Sequence, residues 1–155
     1  MEVRQTEPAA DGADEQEMHL LFELGRYTLA LPLAAIQSVE RLGRVTAVPF
    51  ATPWLRGVTT IRGAVVSVVD LGRFAGVERP GHTPAARLLI TQAGGLSAGF
   101  LVDRVRKLAT LSAHPQPAPA VDGPLAEWWR GAHAVDGEVV PVVDPGRLLT
   151  SPAFH

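Results

Sequence analysis

Metal binding, nucleophilic attack and acid–base catalysis each need particular side chains close together, and this 155-residue chain keeps them apart. None of its five histidines (His19, His82, His114, His133 and His155) lies three or four residues from another. There is no HExxH, no HxH and no carboxylate-rich loop, so no metal set is expected. The absence of cysteine excludes thiol catalysis, thiolate ligation and a disulfide scaffold. Ser38, Ser67, Ser97, Ser112 and Ser151 lie in no GxSxG elbow. The glycines of AGGLSAG precede a strand pattern and lack GK[ST], so they read as a hairpin turn rather than a phosphate loop. Asp70 and Asp144 suggest a carboxylate pair. Each follows a β-branched run, however, and helix capping is the better reading. Asp103 follows another such run and could cap it or end it. The expectation is a protein without catalytic residues, cofactor or metal.

The elements that carry these residues are written twice. WLRGVTTIRGAVVSVVDLGRF (54–74) aligns without a gap on WWRGAHAVDGEVVPVVDPGRL (128–148), with 11 of 21 positions identical. A repeat this long implies two copies of one structural unit. In each copy two apolar runs flank a dipeptide ending in glycine, Arg62-Gly63 or Asp136-Gly137, which predicts a tight hairpin. Short helical turns are expected over Leu71–Ala75 and Pro145–Leu149, with Pro145 at a first helical position. Upstream, His19–Leu24 and Tyr27–Pro32 read as strands about Gly25-Arg26, and Arg44–Pro49 as a further short strand. Leu33–Arg41 has the spacing of a short helix. Leu88–Thr91 and Leu96–Val102 echo the first pair of strands, and Leu33, Ile36 and Val39 recur as Val102, Val105 and Leu108. The Pro/Ala stretch 114–124 is a loop insertion.

These readings predict an all-β fold with a few short helices, built by internal duplication as two small β-barrels packed together. Residues 1–17 form an acidic, disordered tail, with six acids against Arg4. Residues 18–149 form the domain, with barrel units at about 18–77 and 85–149 and a connector at 78–84. Residues 150–155 are a C-terminal tail. The start of the chain carries no apolar signal core and no run is long enough to cross a bilayer, so a cytoplasmic protein without membrane insertion is expected. The 13 arginines are dispersed and aromatics are few, which disfavours nucleic acid as a partner.

The two copies differ most pointedly at the hairpin tip. Asp136 suits a turn that needs φ > 0, whereas Arg62 has no such tolerance. Either the first turn takes another form or pairs its arginine with a nearby acid, or Arg62 is kept for a partner. A five-donor guanidinium on a hairpin tip is well suited to gripping carboxylates or carbonyls. Ile36, Val39 and Leu42 read either as core or as one wall of an apolar groove that would accept an amphipathic helix.

PWLRGVTTIRGAVVSVVDL resembles the signature of the CheW-like domain, the coupling module of bacterial chemotaxis, with Gly57, Val58, Arg62, Gly63, Asp70 and Leu71 in place. FELGRYTLALPLAAIQSVER resembles the first hairpin of that family and the segment after it, and GFLVDRVRKL resembles its Gly-x-x-Val-Asp-x-Val segment. The resemblance implies two SH3-like five-stranded barrels around a shared core. It also implies a non-enzymatic adaptor bridging a chemoreceptor's cytoplasmic tip to the regulatory domain of a CheA-type histidine kinase, at receptor arrays. A receptor groove would then be lined or flanked by Ile36, Val39, Arg62, Leu89 and Leu108. Gly57, Gly63, Asp70, Asp103, Gly137 and Asp144 would hold the fold. Thr60 stands where the family has Asn, and Ser67 where it has Pro, although Pro141 keeps that proline in the second copy. Many members also have a C-terminal helix for which this chain has little room after Leu149. These departures leave open a stand-alone regulator that binds a kinase or response protein without receptor contact, in motility, pilus control or another pathway.

Overall fold

The computed structural model describes residues 15–79, 81–117 and 123–154. Among them ten strands form two five-stranded sheets. Both long repeats are hairpins, as their turns predict: β4 (Leu55–Ile61) with β5 (Ala64–Asp70), and β9 (Trp129–Val135) with β10 (Glu138–Val143). Each runs into a short helix, α1 (Leu71–Phe74) or α2 (Pro145–Leu149). The earlier hairpins are β1 (Gln16–Leu24) with β2 (Tyr27–Pro32), and β6 (Arg87–Ala93) with β7 (Leu96–Val102). Two single strands, β3 (Ile36–Glu40) and β8 (Arg104–Ser112), complete the set.

The sheets do not follow the two units expected at 18–77 and 85–149. One sheet has the order β8-β1-β2-β10-β9 and the other β3-β6-β7-β5-β4. Each barrel therefore takes its first hairpin from one sequence unit and its last three strands from the other. The exchanged hairpins dock through parallel pairs, β2 on β10 and β7 on β5.

Side-chain alternation on these strands divides the apolar residues among three cores. Leu21 and Ala30 join Val140 and Val142 inside the first barrel, while Leu88, Ile90, Val68 and Leu101 fill the second. The other faces of the same strands, with Phe22, Leu29, Leu89, Phe100 and Val69, meet in a larger core shared by both barrels. Strands buried on both faces read as nearly continuous apolar runs, as in Leu88-Leu89-Ile90.

Several local expectations are corrected. The helical spacing over Leu33–Arg41 yields a 3₁₀ turn only at Leu33–Ala35. From Ile36 the chain is β3, because pairing with β6 satisfies its backbone. Arg44–Pro49 contributes one bridge, Thr46 with Val58, rather than a strand. The acidic tail ends earlier than residue 17, since β1 begins at Gln16 and pairs with β8 there; residues 1–14 lie outside the described residues. The C-terminal segment is packed, with the Phe154 ring stacked 4.7 Å from Phe74 and edge-on to Trp54 at 5.0 Å.

The glycines shared by the repeats have a steric cause. Gly57 (φ 139°) lies against the backbone of Thr46, and Gly131 (φ 142°) against that of Gln116. At each point a loop residue bridges to the next strand position, Thr46 to Val58 and Gln116 to Ala132. A Cβ on Gly57 would overlap the Thr46 carbonyl, and one on Gly131 would lie 2.6 Å from the Gln116 oxygen. Gly63 needs glycine for φ (83°) alone and has open space around it. Gly57→Ala is therefore expected to cost about 3 kcal/mol or more, and Gly63→Ala only about 1 kcal/mol. Urea midpoints of the two variants check the difference.

Candidate functional site

The first-copy hairpin tip has the same backbone as the second: φ is 50° at Arg62 and 52° at Asp136. The turn is thus not of another form, and Arg62 holds a left-handed conformation that favours Gly, Asn or Asp. Its guanidinium reaches β3 and pairs with Glu40, Nη2 to Oε2 at 3.1 Å. At the second tip Asp136 pairs with Lys107 on β8 at 2.5 Å. Each long hairpin thus clasps the edge strand at the far side of its own sheet, and the polarity is inverted between copies. The Arg62 side chain stays 74% exposed beyond its clasp.

The other expected groove residues divide by depth. Ile36 is half-buried against the shared core, as is Val105, its counterpart on β8. Val39, next to Glu40, is 42% exposed and Leu108 is 51% exposed. Arg62 and Glu40 thus form one neighbourhood, Val39 lies on the opposite face of β3 from Glu40, and Leu108 lies on the edge strand of the other sheet. Leu89 has no exposed surface. Its backbone pairs with Val39, but its side chain points into the shared core, so it cannot line an open groove.

Asp70 and Asp144 cap their helices as expected, accepting hydrogen bonds from the backbone N–H of Arg73 and Arg147, each at 3.1 Å. Sequence reasoning missed Arg79, which sits in the connector. Its Nη2 donates to Asp70 Oδ1 at 2.5 Å and its Nε to Asp103 Oδ1 at 2.6 Å, with only 9% of the side chain exposed. Asp103 Oδ2 also accepts from the backbone N–H of Gly25 at 2.6 Å, in the β1–β2 turn. His82 Nε2 donates to Asp70 Oδ2 at 3.1 Å. Burial alone would push the Asp70 carboxyl up. Hydrogen bonds from Arg79, the Arg73 backbone and His82 outweigh it and hold the group below its ordinary value. No local pattern pointed to Arg79, because the stretch around it is rich in Pro and Gly.

This cluster sits in an open cleft of about 910 Å³ that also exposes Arg56 and Arg73. Its charges lock to one another, and no nucleophile stands beside a base. Among the described residues no group of three His, Cys, Asp or Glu is placed to hold an ion. His19 is buried on β1, where Nδ1 donates to the Glu17 carbonyl at 2.9 Å, and its ring lies edge-on to His133. Burial pushes the imidazole below its ordinary range, against partial support from Glu17.

Truncating Arg79 would leave two carboxylates facing each other in a half-buried site. Arg79→Ala is expected to cost about 3–5 kcal/mol, read from urea unfolding at pH 7. The folded state also favours neutral His19. As pH falls below about 6.5, the unfolded chain takes up a proton that the folded chain resists, and stability falls. The urea midpoint should therefore drop between pH 7.5 and 5.5, and drop less in His19→Gln.

The CheW-like domain family model matches residues 18–153. The chain is 31% identical over 144 residues to protein FrzA of Myxococcus xanthus, covering 91% of this chain and 89% of that protein. It is 26% identical over 134 residues to the chemotaxis protein CheW of Klebsiella aerogenes, covering 85% and 81%. The crystal structure of the scaffolding protein TtCheW from Thermoanaerobacter tengcongensis superposes with a TM-score of 0.81 at 20% identity, covering 90% of this chain and 96% of that one. The chain belongs to the CheW-like domain family. That family is not enzymatic, and the relatives matched include proteins named for chemotaxis.

Proposed function

We propose that this CheW-like protein couples the cytoplasmic tip of a chemoreceptor to the regulatory domain of a CheA-type histidine kinase, working in the cytoplasm by binding both. The carrying observation is Arg62: a strained, mostly exposed guanidinium on a hairpin tip whose base is fixed by β-pairing and by the Glu40 clasp. Exposed Val39 sits on the same strand as Glu40 but on its opposite face, and offers an apolar contact there. A helical receptor tip presents both kinds of surface at i, i+3 and i+4. Leu108 on β8 would supply a second apolar contact from the other barrel. Holding kinase and receptor on one body raises the effective concentration of each near the other, without any chemistry in the scaffold. No helix among the described residues is long and apolar enough to cross a membrane, which is consistent with attachment through the receptor.

The Arg62–Glu40 pair has a structural role to separate from a receptor role. An exposed pair of this kind is worth about 0–1 kcal/mol, so Arg62→Glu should stay folded. Receptor-tip affinity should fall about tenfold or more, as expected for loss of a charged anchor. The double variant Arg62→Glu/Glu40→Arg restores the clasp with reversed polarity. It should recover the melting temperature but not receptor binding. Titration calorimetry with receptor tip and kinase domain separately reads both outcomes. Unchanged receptor affinity in the folded single variant removes Arg62 from the site. A chain that binds the kinase domain and never the receptor tip is instead a stand-alone regulator.

A further inference from the structure

The duplicated segment carries an arginine–aspartate–arginine set in each copy: Arg56, Asp70 and Arg73 in the first, Arg130, Asp144 and Arg147 in the second. In the second copy the set closes on itself. Asp144 Oδ2 lies 3.8 Å from Arg130 Nε and 3.9 Å from Arg147 Nε. Arg130 is also met by Glu17 at 3.8 Å, and Arg147 donates to the Trp129 carbonyl at 3.3 Å. Both guanidiniums therefore have acceptors from this chain.

In the first copy the aspartate is already taken. Arg79 Nη2 and the Arg73 backbone N–H occupy Asp70 Oδ1, and His82 Nε2 occupies Oδ2. Arg79, only 9% exposed and fixed by Asp103 as well, holds Asp70 away from the two outer arginines. Arg56 Nη1 reaches Oδ2 only at 4.0 Å, and its side chain stays 39% exposed. The exposed Arg73 guanidinium makes no hydrogen bond or ion pair among the described residues. Both arginines line the open cleft of about 910 Å³, a volume in the range of small-molecule sites. Gly76 and Gly81 form part of its wall, with open space where a Cβ would stand. Beyond the locked Asp70, the acid on the lining is the exposed Glu78.

We infer that this cleft binds a small dianion bearing carboxylate or phosphate groups, held by the Arg56 and Arg73 guanidiniums. The ligand takes the part that Asp144 and Glu17 play in the second copy, where the same pair of arginines is seen to accept carboxylates. A guanidinium presents a planar fork that matches either oxyanion with two parallel hydrogen bonds. Arg56 stands near the start of β4 and Arg62 past its other end, about 20 Å away along the strand, so the site is separate from the hairpin tip.

The test is titration calorimetry of the full chain with succinate and, separately, with pyrophosphate, at low and high sodium chloride. Amide shifts of the isotope-labelled protein give a second readout, and melting temperatures check that each variant is folded. At least one of the two anions should bind with a Kd of about 1 mM or tighter, shift the Gly76 and Gly81 amides, and bind more weakly as salt rises. Arg56→Gln and Arg73→Gln should each weaken binding about tenfold, and Glu78→Gln, which removes the facing acid, should strengthen it about twofold. Arg147→Gln, the matched change in the second copy, should leave the affinity where it was. Succinate binding assigns the carboxylate form of the ligand, and pyrophosphate binding the phosphate form. Equal losses in Arg73→Gln and Arg147→Gln mean diffuse charge attraction and overturn the site. Binding by neither anion up to about 10 mM overturns it as well.

Discussion

A buried guanidinium holds the two barrels in their crossed arrangement. Arg79 links Asp70, at the end of β5 in the second barrel, to Asp103, which follows β7 and ties back to the β1–β2 turn of the first. Burying an isolated ion costs several kcal/mol, so Arg79 is tolerable only because two carboxylates and the Val77 carbonyl meet it. That requirement is also a specification. The observed placement of the α1 turn, the β7–β8 junction and the β1–β2 turn brings both carboxylates onto Arg79, and it has the hairpins exchanged. A side chain on Gly72 would collide with the guanidinium. Asp70 caps α1 and anchors Arg79 with the same Oδ1. Asp144 repeats the cap, but at 3.8–3.9 Å it pairs only with Arg130 and Arg147. The duplicated aspartate thus kept its local role in both copies and gained a tertiary one in the first.

The exchange explains why one body forms rather than two. Each first hairpin has a face in a small barrel core and a face in the shared core. Neither sequence unit could fold alone without exposing one of those faces. At each barrel an ion pair ties the long hairpin to the far edge strand, and the two pairs have opposite polarity, Arg62 to Glu40 and Asp136 to Lys107. Inversion keeps the pairing while removing the equivalence of the two tips, so a partner that recognises a cation at one tip finds an anion at the other. Duplication thereby yields an asymmetric scaffold from symmetric parts.

Much of this was legible in the residues, and the illegible part has a physical pattern. Hairpins at Arg62-Gly63 and Asp136-Gly137, the capping aspartates and the two short helices are local, set by turn and cap chemistry a few residues long. Exchange is not local, because the repeat reads identically whether each hairpin docks at home or across. Leu89 was misplaced for a related reason. A strand buried on both faces shows no alternation, so Leu88-Leu89-Ile90 gives no hint which side chain points where. Arg79 hid in a stretch rich in Pro and Gly that reads as a solvated connector. The C-terminal tail hid a core aromatic, because one ring in a short polar segment has no period to betray it.

Phe50, left-handed at φ 60° and fully exposed, shows how differently the two copies use one strained backbone. A left-handed backbone at a large apolar residue is costly wherever it occurs, and at Leu125, one position out of register with Phe50 in the repeat, burial in the shared core offsets the cost. The first copy carries the same backbone cost with no burial to offset it. Selection for stability alone would replace that ring with Asn or Gly, either of which the turn accepts more readily. Nothing in the folded monomer offsets that cost. Arg62, held in the same kind of backbone at the opposite end of β4, has the Glu40 pair to set against it.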